Sequence, residues 1–67
     1  MLINERQNQI IFELQKNPDI TVRQLAEKLH FSEPTIRRDF TELERRGILT
    51  KYYGGAVLNA GAADGIA

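Results

Sequence analysis

The eight residues Ser32-Glu33-Pro34-Thr35-Ile36-Arg37-Arg38-Asp39 concentrate most of the chemical capability of this chain. Arginine presents a planar fork of N–H donors that matches the two acceptors on the major-groove edge of guanine. Threonine offers a methyl and a hydroxyl suited to a thymine methyl or a phosphate. Ser32 is a helix-capping residue type, Glu33 sets a negative charge in a positive first turn, and Pro34 stands where a missing N–H costs nothing. The threonine and the arginines therefore sit near the N-terminal end of a helix, the part of a recognition helix that enters the major groove of duplex DNA. The same helix start lets the Ser32 hydroxyl or backbone N–H hold a phosphate.

Helical phase separates the face that reads from the face that packs. At ~100° per residue, with Ile36 at zero, Phe40 falls at about 40° and Leu43 at about 340°. Arg38 falls at about 200°, flanked by Arg37 at about 100° and Thr35 at about 260°, with Thr41 and Arg45 also pointing outward. Asp39, at about 300°, lies on the edge of the packed face, where a carboxylate needs a basic partner; Arg6 and Arg37 are the candidates.

The upstream elements are those needed to present such a helix. Asn4 caps a first helix with Gln7 in the reciprocal position, and Ile3, Ile10, Ile11 and Leu14 form its apolar stripe. Asn17-Pro18-Asp19 stops it, leaving Ile20 as a short strand or a core plug. Thr21 and Gln24 open a second helix whose Val22, Leu25, Ala26 and Leu29 repeat at i, i+3, i+4 and i+7. His30 takes the turn, where one residue adopts a left-handed conformation that histidine tolerates, so it reads as a turn residue and not as a pH switch. Gly47 ends the third helix with a left-handed cap. Residues 48–53 are then β-branched and aromatic, Gly54-Gly55 signals a tight turn, and Ala56-Val57-Leu58 returns as a second strand, with Ile48, Leu49 and Val57 expected to pack on the helices. Three helices and a terminal hairpin, mainly α with a small β-hairpin, make a three-helix winged helix-turn-helix. Gly54 and Gly55 are structural. Lys51 and Tyr52 on the hairpin are candidates to touch a minor groove or the backbone beside the third helix, and Thr21 and Arg23 at the start of the second helix are candidates to touch phosphates. Phe12, Phe31 and Tyr53 are scattered over different elements, which favours packing over a base-stacking platform.

Composition bounds the alternatives. Sixty-seven residues make one small domain, which buries only about 60% of its unfolded surface. Without cysteine, and with a single histidine, no disulfide framework and no cysteine or histidine metal site is available. No apolar run approaches the ~20 residues of a membrane span and no secretory signal is visible, which points to the cytoplasm. There is no nucleophile–base pair and no phosphate-binding loop, so neither an enzyme nor a cofactor is expected. The formal net charge is zero, unlike a strongly basic nucleic-acid binder, so DNA binding requires the positive groups to gather on one surface.

Taken together, Arg6-x-x-x-Ile10-x-x-x-Leu14, Ser32-x-x-Thr35-Ile36-Arg37-Arg38-Asp39-Phe40, and Gly47-Ile48-Leu49 leading to Gly54-Gly55-Ala56-Val57 resemble the N-terminal domain of DeoR-type bacterial transcriptional repressors. The chain departs from that pattern at His30, where glycine is common, at Lys51, where arginine is frequent, and at Tyr53, where histidine is frequent. The resemblance implies a cytoplasmic repressor of a sugar or nucleoside catabolic operon that binds double-stranded DNA. It also implies a larger C-terminal domain, absent here, that binds a phosphorylated sugar and makes the whole protein a homo-oligomer. On this reading residues 1–58 are the DNA-binding domain, residues 59–67 are a flexible tail or the start of a linker, and the isolated chain is a monomer. The alternative is a winged helix used for protein–protein interaction without DNA. Zero net charge favours that alternative slightly; the Thr-Ile-Arg-Arg stretch at a helix start favours DNA more strongly.

Overall fold

Each helix begins where a side chain can satisfy its first free N–H groups. In the computed structural model, which describes residues 3–59, Gln7 N–H donates to Asn4 Oδ1 at 2.7 Å and Asn4 N–H donates back to Gln7 Oε1 at 3.4 Å. This reciprocal pair opens α1, Glu5–Lys16. The same device opens α2, Val22–Leu29: Gln24 N–H donates to Thr21 Oγ1 at 3.0 Å and Thr21 N–H to Gln24 Oε1 at 2.9 Å. Thr35 N–H donates to Ser32 Oγ at 3.3 Å at the start of α3, Glu33–Arg45.

The helix ends are equally local in origin. His30 has φ 64°, and Phe31 N–H closes on the Ala26 carbonyl at 3.0 Å. Gly47, φ 80°, allows its own N–H to reach Glu44 O at 2.9 Å and Ile48 N–H to reach Leu43 O at 3.0 Å. This is a Schellman stop, and it turns the chain directly into the hairpin.

The hairpin pairs β1, Leu49–Tyr52, with β2, Gly55–Leu58, antiparallel, with Leu49 opposite Leu58 and Tyr52 opposite Gly55. The two-residue loop is therefore Tyr53-Gly54, with Gly54 at φ 83°. Gly55 already belongs to the strand, where the Tyr52 ring lies over it so closely that a Cβ would meet the Tyr52 hydroxyl oxygen at 3.0 Å. Placing the turn one residue earlier than Gly54-Gly55 decides which side of β2 is buried, because alternate residues face opposite sides of a strand. Ala56 is fully buried and Leu58 partly so, while Val57, expected in the core, is 48% exposed. Ile48 and Leu49 pack as expected.

A two-stranded hairpin is marginal unless it is packed or tied to something else. Here Val22 N–H donates to Gly54 O at 2.9 Å and Thr21 bridges Gly55, which fastens the loop end to the start of α2. At the other end Asn59 N–H donates to Ile48 O at 2.9 Å, its amide donates to Gly47 O at 2.8 Å, and Thr50 Oγ1 donates to Asn59 Oδ1 at 2.7 Å. The hairpin's closing bonds thus reach one residue past the expected boundary at 58. Residues 60–67, expected to be a tail or linker, lie outside the described residues.

One core joins all the elements: Ile10 and Leu14 from α1, Leu25 from α2, Ile36, Phe40 and Leu43 from α3, and Leu49 from β1 are almost completely buried. Ile20 joins them as a plug between α1 and α2. The three aromatics expected to pack do not. Phe12 is 54% exposed with the Lys16 ammonium 5.0 Å from its ring centre. Phe31 is partly exposed beneath the Arg6 guanidinium. Tyr53 projects from a loop too short to fold back on the sheet and is fully exposed. Among the described residues no helix is long and apolar enough to cross a membrane, and no cluster suits a metal ion.

Two predictions follow from this packing. Truncating a buried phenylalanine costs about 3–5 kcal/mol, comparable with the total stability of so small a core. Phe40→Ala should therefore be largely unfolded in a thermal melt at room temperature, where the parent is folded. The second concerns acid. A hydrogen bond from Lys28 holds the Glu13 carboxyl below its usual range, and hydrogen bonds from Arg45 and then Arg46 do the same for Glu42. A carboxyl whose pKa is lowered by folding contributes stability above its unfolded value and loses it as pH falls through the folded one. Denaturation midpoints should therefore be flat from neutral pH down to about 5 and fall below the ordinary glutamate value of 4.5. A midpoint that rises on acidification would contradict this.

Candidate nucleic-acid interface

The rotation of α3 about its own axis decides which side chains it offers, and a buried carboxylate sets that rotation. Asp39 is 4% exposed. It receives Arg6 bidentately, with Nε on Oδ2 and Nη2 on Oδ1 at 2.9 Å, and Gln7 Nε2 approaches Oδ1 at 3.3 Å. The Arg6 guanidinium also lies 5.5 Å from the centre of the Phe31 ring, in the turn before α3. Of the two partners considered for Asp39, Arg6 is the one used. Arg37 bonds instead to Glu33, one turn back, at 2.9 Å.

With Ile36, Asp39, Phe40 and Leu43 facing inward, α3 presents Arg37, Arg38 and Thr41 to solvent and leaves Thr35 half-buried. Arg38 makes no hydrogen bond or ion pair with a described residue. The Ser32 and Thr35 hydroxyls lie 2.9 Å apart over the first turn, so both are presented together at the positive end of the helix.

The hairpin forms the second wall of a groove beside α3. Arg37, Thr41, Lys51 and Tyr52 line it, with Val22 and Gly54 at one end. Lys51 is held at three points. Its N–H donates to Glu44 Oε2 at 2.9 Å, its ammonium donates to Thr41 Oγ1 at 3.1 Å, and Glu44 Oε1 is 3.9 Å away. Thr41 Oγ1 in turn donates to the Arg37 carbonyl at 3.1 Å. Tyr52 is half exposed, its ring spent partly on Gly55. Thr21 uses its hydroxyl to cap α2, and Arg23 extends into solvent toward Glu27 at 4.0 Å.

The structure therefore gathers Arg37, Lys51 and Tyr52 in one groove. It places Arg38 and Thr35 on the adjoining outward stripe and Ser32 at its start, and it holds Thr21 and Arg23 beside the wing through the Val22–Gly54 bond. Two contributors were not singled out from sequence. Thr41 had the outward phase that would have found it. Glu44 had no local signal, because its role depends on where the hairpin folds back.

A helix–turn–helix pair fastened to a two-stranded wing, with a cationic outward face on the second of those helices, defines a winged helix-turn-helix of the DNA-binding kind. The DeoR-like helix-turn-helix domain family matches residues 6–61, and the chain belongs to that family. It is 50% identical over 54 residues to the HTH-type transcriptional regulator GolR of Listeria innocua, covering 81% of this chain and 21% of that protein. It is 42% identical over 57 residues to the lactose phosphotransferase system repressor of Staphylococcus aureus (85% of this chain, 23% of the repressor). Against the repressor of the same name in Streptococcus mutans the identity is 44% over 55 residues (82% and 22%). The chain thus spans about a fifth of the length of the curated relatives it matches. No solved structure matches it. The family and these relatives make the domain a DNA-binding module of bacterial transcriptional regulation.

Removing Arg6 leaves a buried carboxylate short of its main partner. Because Arg6 is itself one-third exposed, Arg6→Ala should cost about 1–3 kcal/mol, the penalty for leaving a buried polar group short of a partner. Chemical denaturation should show that loss, and an unchanged midpoint would show that Asp39 is satisfied by Gln7 and solvent alone.

Proposed function

We propose that this domain binds duplex DNA sequence-specifically with α3 in the major groove. In this reading Arg38 and Arg37 contact base edges and Thr35 contacts a base methyl or a phosphate. Ser32, Thr21 and Arg23 position the backbone, and Lys51 and Tyr52 extend the contact along the wing. The observation that carries the reading is Arg38: an exposed guanidinium with no partner among the described residues, on the outward side of a helix whose rotation is locked by Asp39. A free arginine fork in that position fits bidentate pairing with guanine.

The relatives' names supply the setting. Two are repressors of a lactose phosphotransferase system, so we infer a cytoplasmic repressor of a sugar or nucleoside catabolic operon, without enzymatic activity of its own. In a protein of the relatives' length, a second domain following this one would bind a phosphorylated sugar and hold two or more copies together, with the residues after Asn59 as the linker. The domain alone would be a monomer that binds weakly, since a single module buries only about 600–1,000 Å² of protein surface on DNA.

Selecting bound sequences from a random duplex pool, then comparing affinities, tests the reading. Affinity for random duplex should fall steeply as salt rises. Arg38→Ala should retain the parent's melt and lose about 5- to 150-fold in preference for the selected site, the equivalent of ~1–3 kcal/mol for one bidentate contact. Salt-independent absence of binding would instead favour a protein-interaction role.

A further inference from the structure

The zero net charge of this chain has a local counterpart on the surface assigned to DNA. Arg37 is bonded to Glu33 at 2.9 Å, Arg23 lies 4.0 Å from Glu27, and Lys51 is held by Glu44 through both its N–H and, at 3.9 Å, its ammonium. Each of these cations is well exposed, yet each has a carboxylate within reach. Arg38 is the exception, with no partner among the described residues.

We infer that Glu33 and Glu44 are specificity-determining residues, which hold Arg37 and Lys51 in the free domain and thereby suppress binding to arbitrary duplex. This rests on the DNA-binding reading given above and deepens it. A phosphate on any sequence offers Arg37 and Lys51 one ionic partner. Taking it means giving up the one they already have, and it brings two carboxylates well inside the ~8–10 Å Debye length of the DNA backbone. The exchange on random duplex is therefore close to balanced. On the correct sequence, Arg38 adds a base contact that no internal carboxylate offsets, so the selected site keeps that gain. The carboxylates lower both affinities but lower the non-specific one more, which widens the ratio between them.

The geometry suggests a conservative test. Glutamine at either position keeps an acceptor oxygen for Arg37 Nη2 or for the Lys51 N–H and removes only the charge. Glu33→Gln, Glu44→Gln and the double variant are compared with Glu5→Gln, which changes the formal charge equally from an exposed position on α1 away from the α3–wing groove. For each, affinity is measured for random duplex and for the selected site at two salt concentrations, alongside a thermal melt. Each interface variant should bind random duplex about two- to fivefold more tightly, the scale of an exposed ion pair. The double variant should lose a comparable or larger factor in specificity ratio, while Glu5→Gln leaves the ratio as in the parent. If the interface variants tighten both duplexes equally, or if Glu5→Gln has the same effect, the carboxylates act only through net charge and the inference is overturned. An unchanged random-duplex affinity overturns it as well. Should the parent itself show no salt-dependent duplex binding, the DNA-binding reading fails and this inference falls with it, a result distinct from a parent that binds and variants that do not shift the ratio.

Discussion

Asp39 is the constraint on which the rest of this structure turns. A carboxylate taken out of water costs several kcal/mol unless it is paired and hydrogen-bonded, and this one is paired almost entirely with α1. Arg6 meets it with two N–H groups, and Gln7 approaches with its amide nitrogen while its amide oxygen closes the cap of the same helix. The start of α1 therefore cannot fray without exposing Asp39 to a loss of partners, and α3 cannot rotate without breaking a bidentate contact. Hydrophobic burial alone is a loose constraint on rotation, because Ile36, Phe40 and Leu43 would tolerate a shift of some tens of degrees. A directional ion pair on the edge of that face tolerates much less.

The wing is placed by a second set of constraints that share atoms with α3. The glycine stop at Gly47 sends the chain back along the helix it has just left. Glu44, in the last turn of α3, then takes the Lys51 N–H, while Thr41 takes its ammonium. At the far end, the Gly54 carbonyl accepts from the first N–H of α2, a donor that helix geometry leaves free. A hairpin too small to stand by itself is thus fixed at both ends to the two helices of the helix–turn–helix. Its groove and the outward stripe of α3 form one continuous surface.

Most of this is legible in the sequence, because it is local. The three N-caps, the left-handed turn at His30, the stop at Gly47 and the phase of α3 each depend on residues no more than seven positions apart. Partial burial implies a basic partner for Asp39, such as Arg6 or Arg37, but the choice of Arg6 depends on how α1 packs on α3. What was misread depends on register or on long-range geometry. Shifting the hairpin loop from Gly54-Gly55 to Tyr53-Gly54 exchanged Val57 for Ala56 and Leu58 on the buried side. The scatter of Phe12, Phe31 and Tyr53 over different elements argues against a stacking platform but does not place them inside, and the core is filled by aliphatic side chains and Phe40. Glu44 resembled any exposed helical glutamate until the hairpin was in place. The candidate site was legible in its residues and less so in its couplings, which are made across 7 and 10 positions of sequence.

The central claim is that one face, made of the outward side of α3, the wing groove and the start of α2, meets DNA. Backbone amide shifts followed by NMR while the domain is titrated with its selected duplex test this directly. The largest changes should fall at Arg37, Arg38 and Thr41, at Lys51, Tyr52 and Gly54, and at Thr21 and Arg23. Amides around Phe12, on the α1 surface away from that groove, should stay where they are. Changes concentrated around Phe12, with α3 and the wing unmoved, would contradict the account.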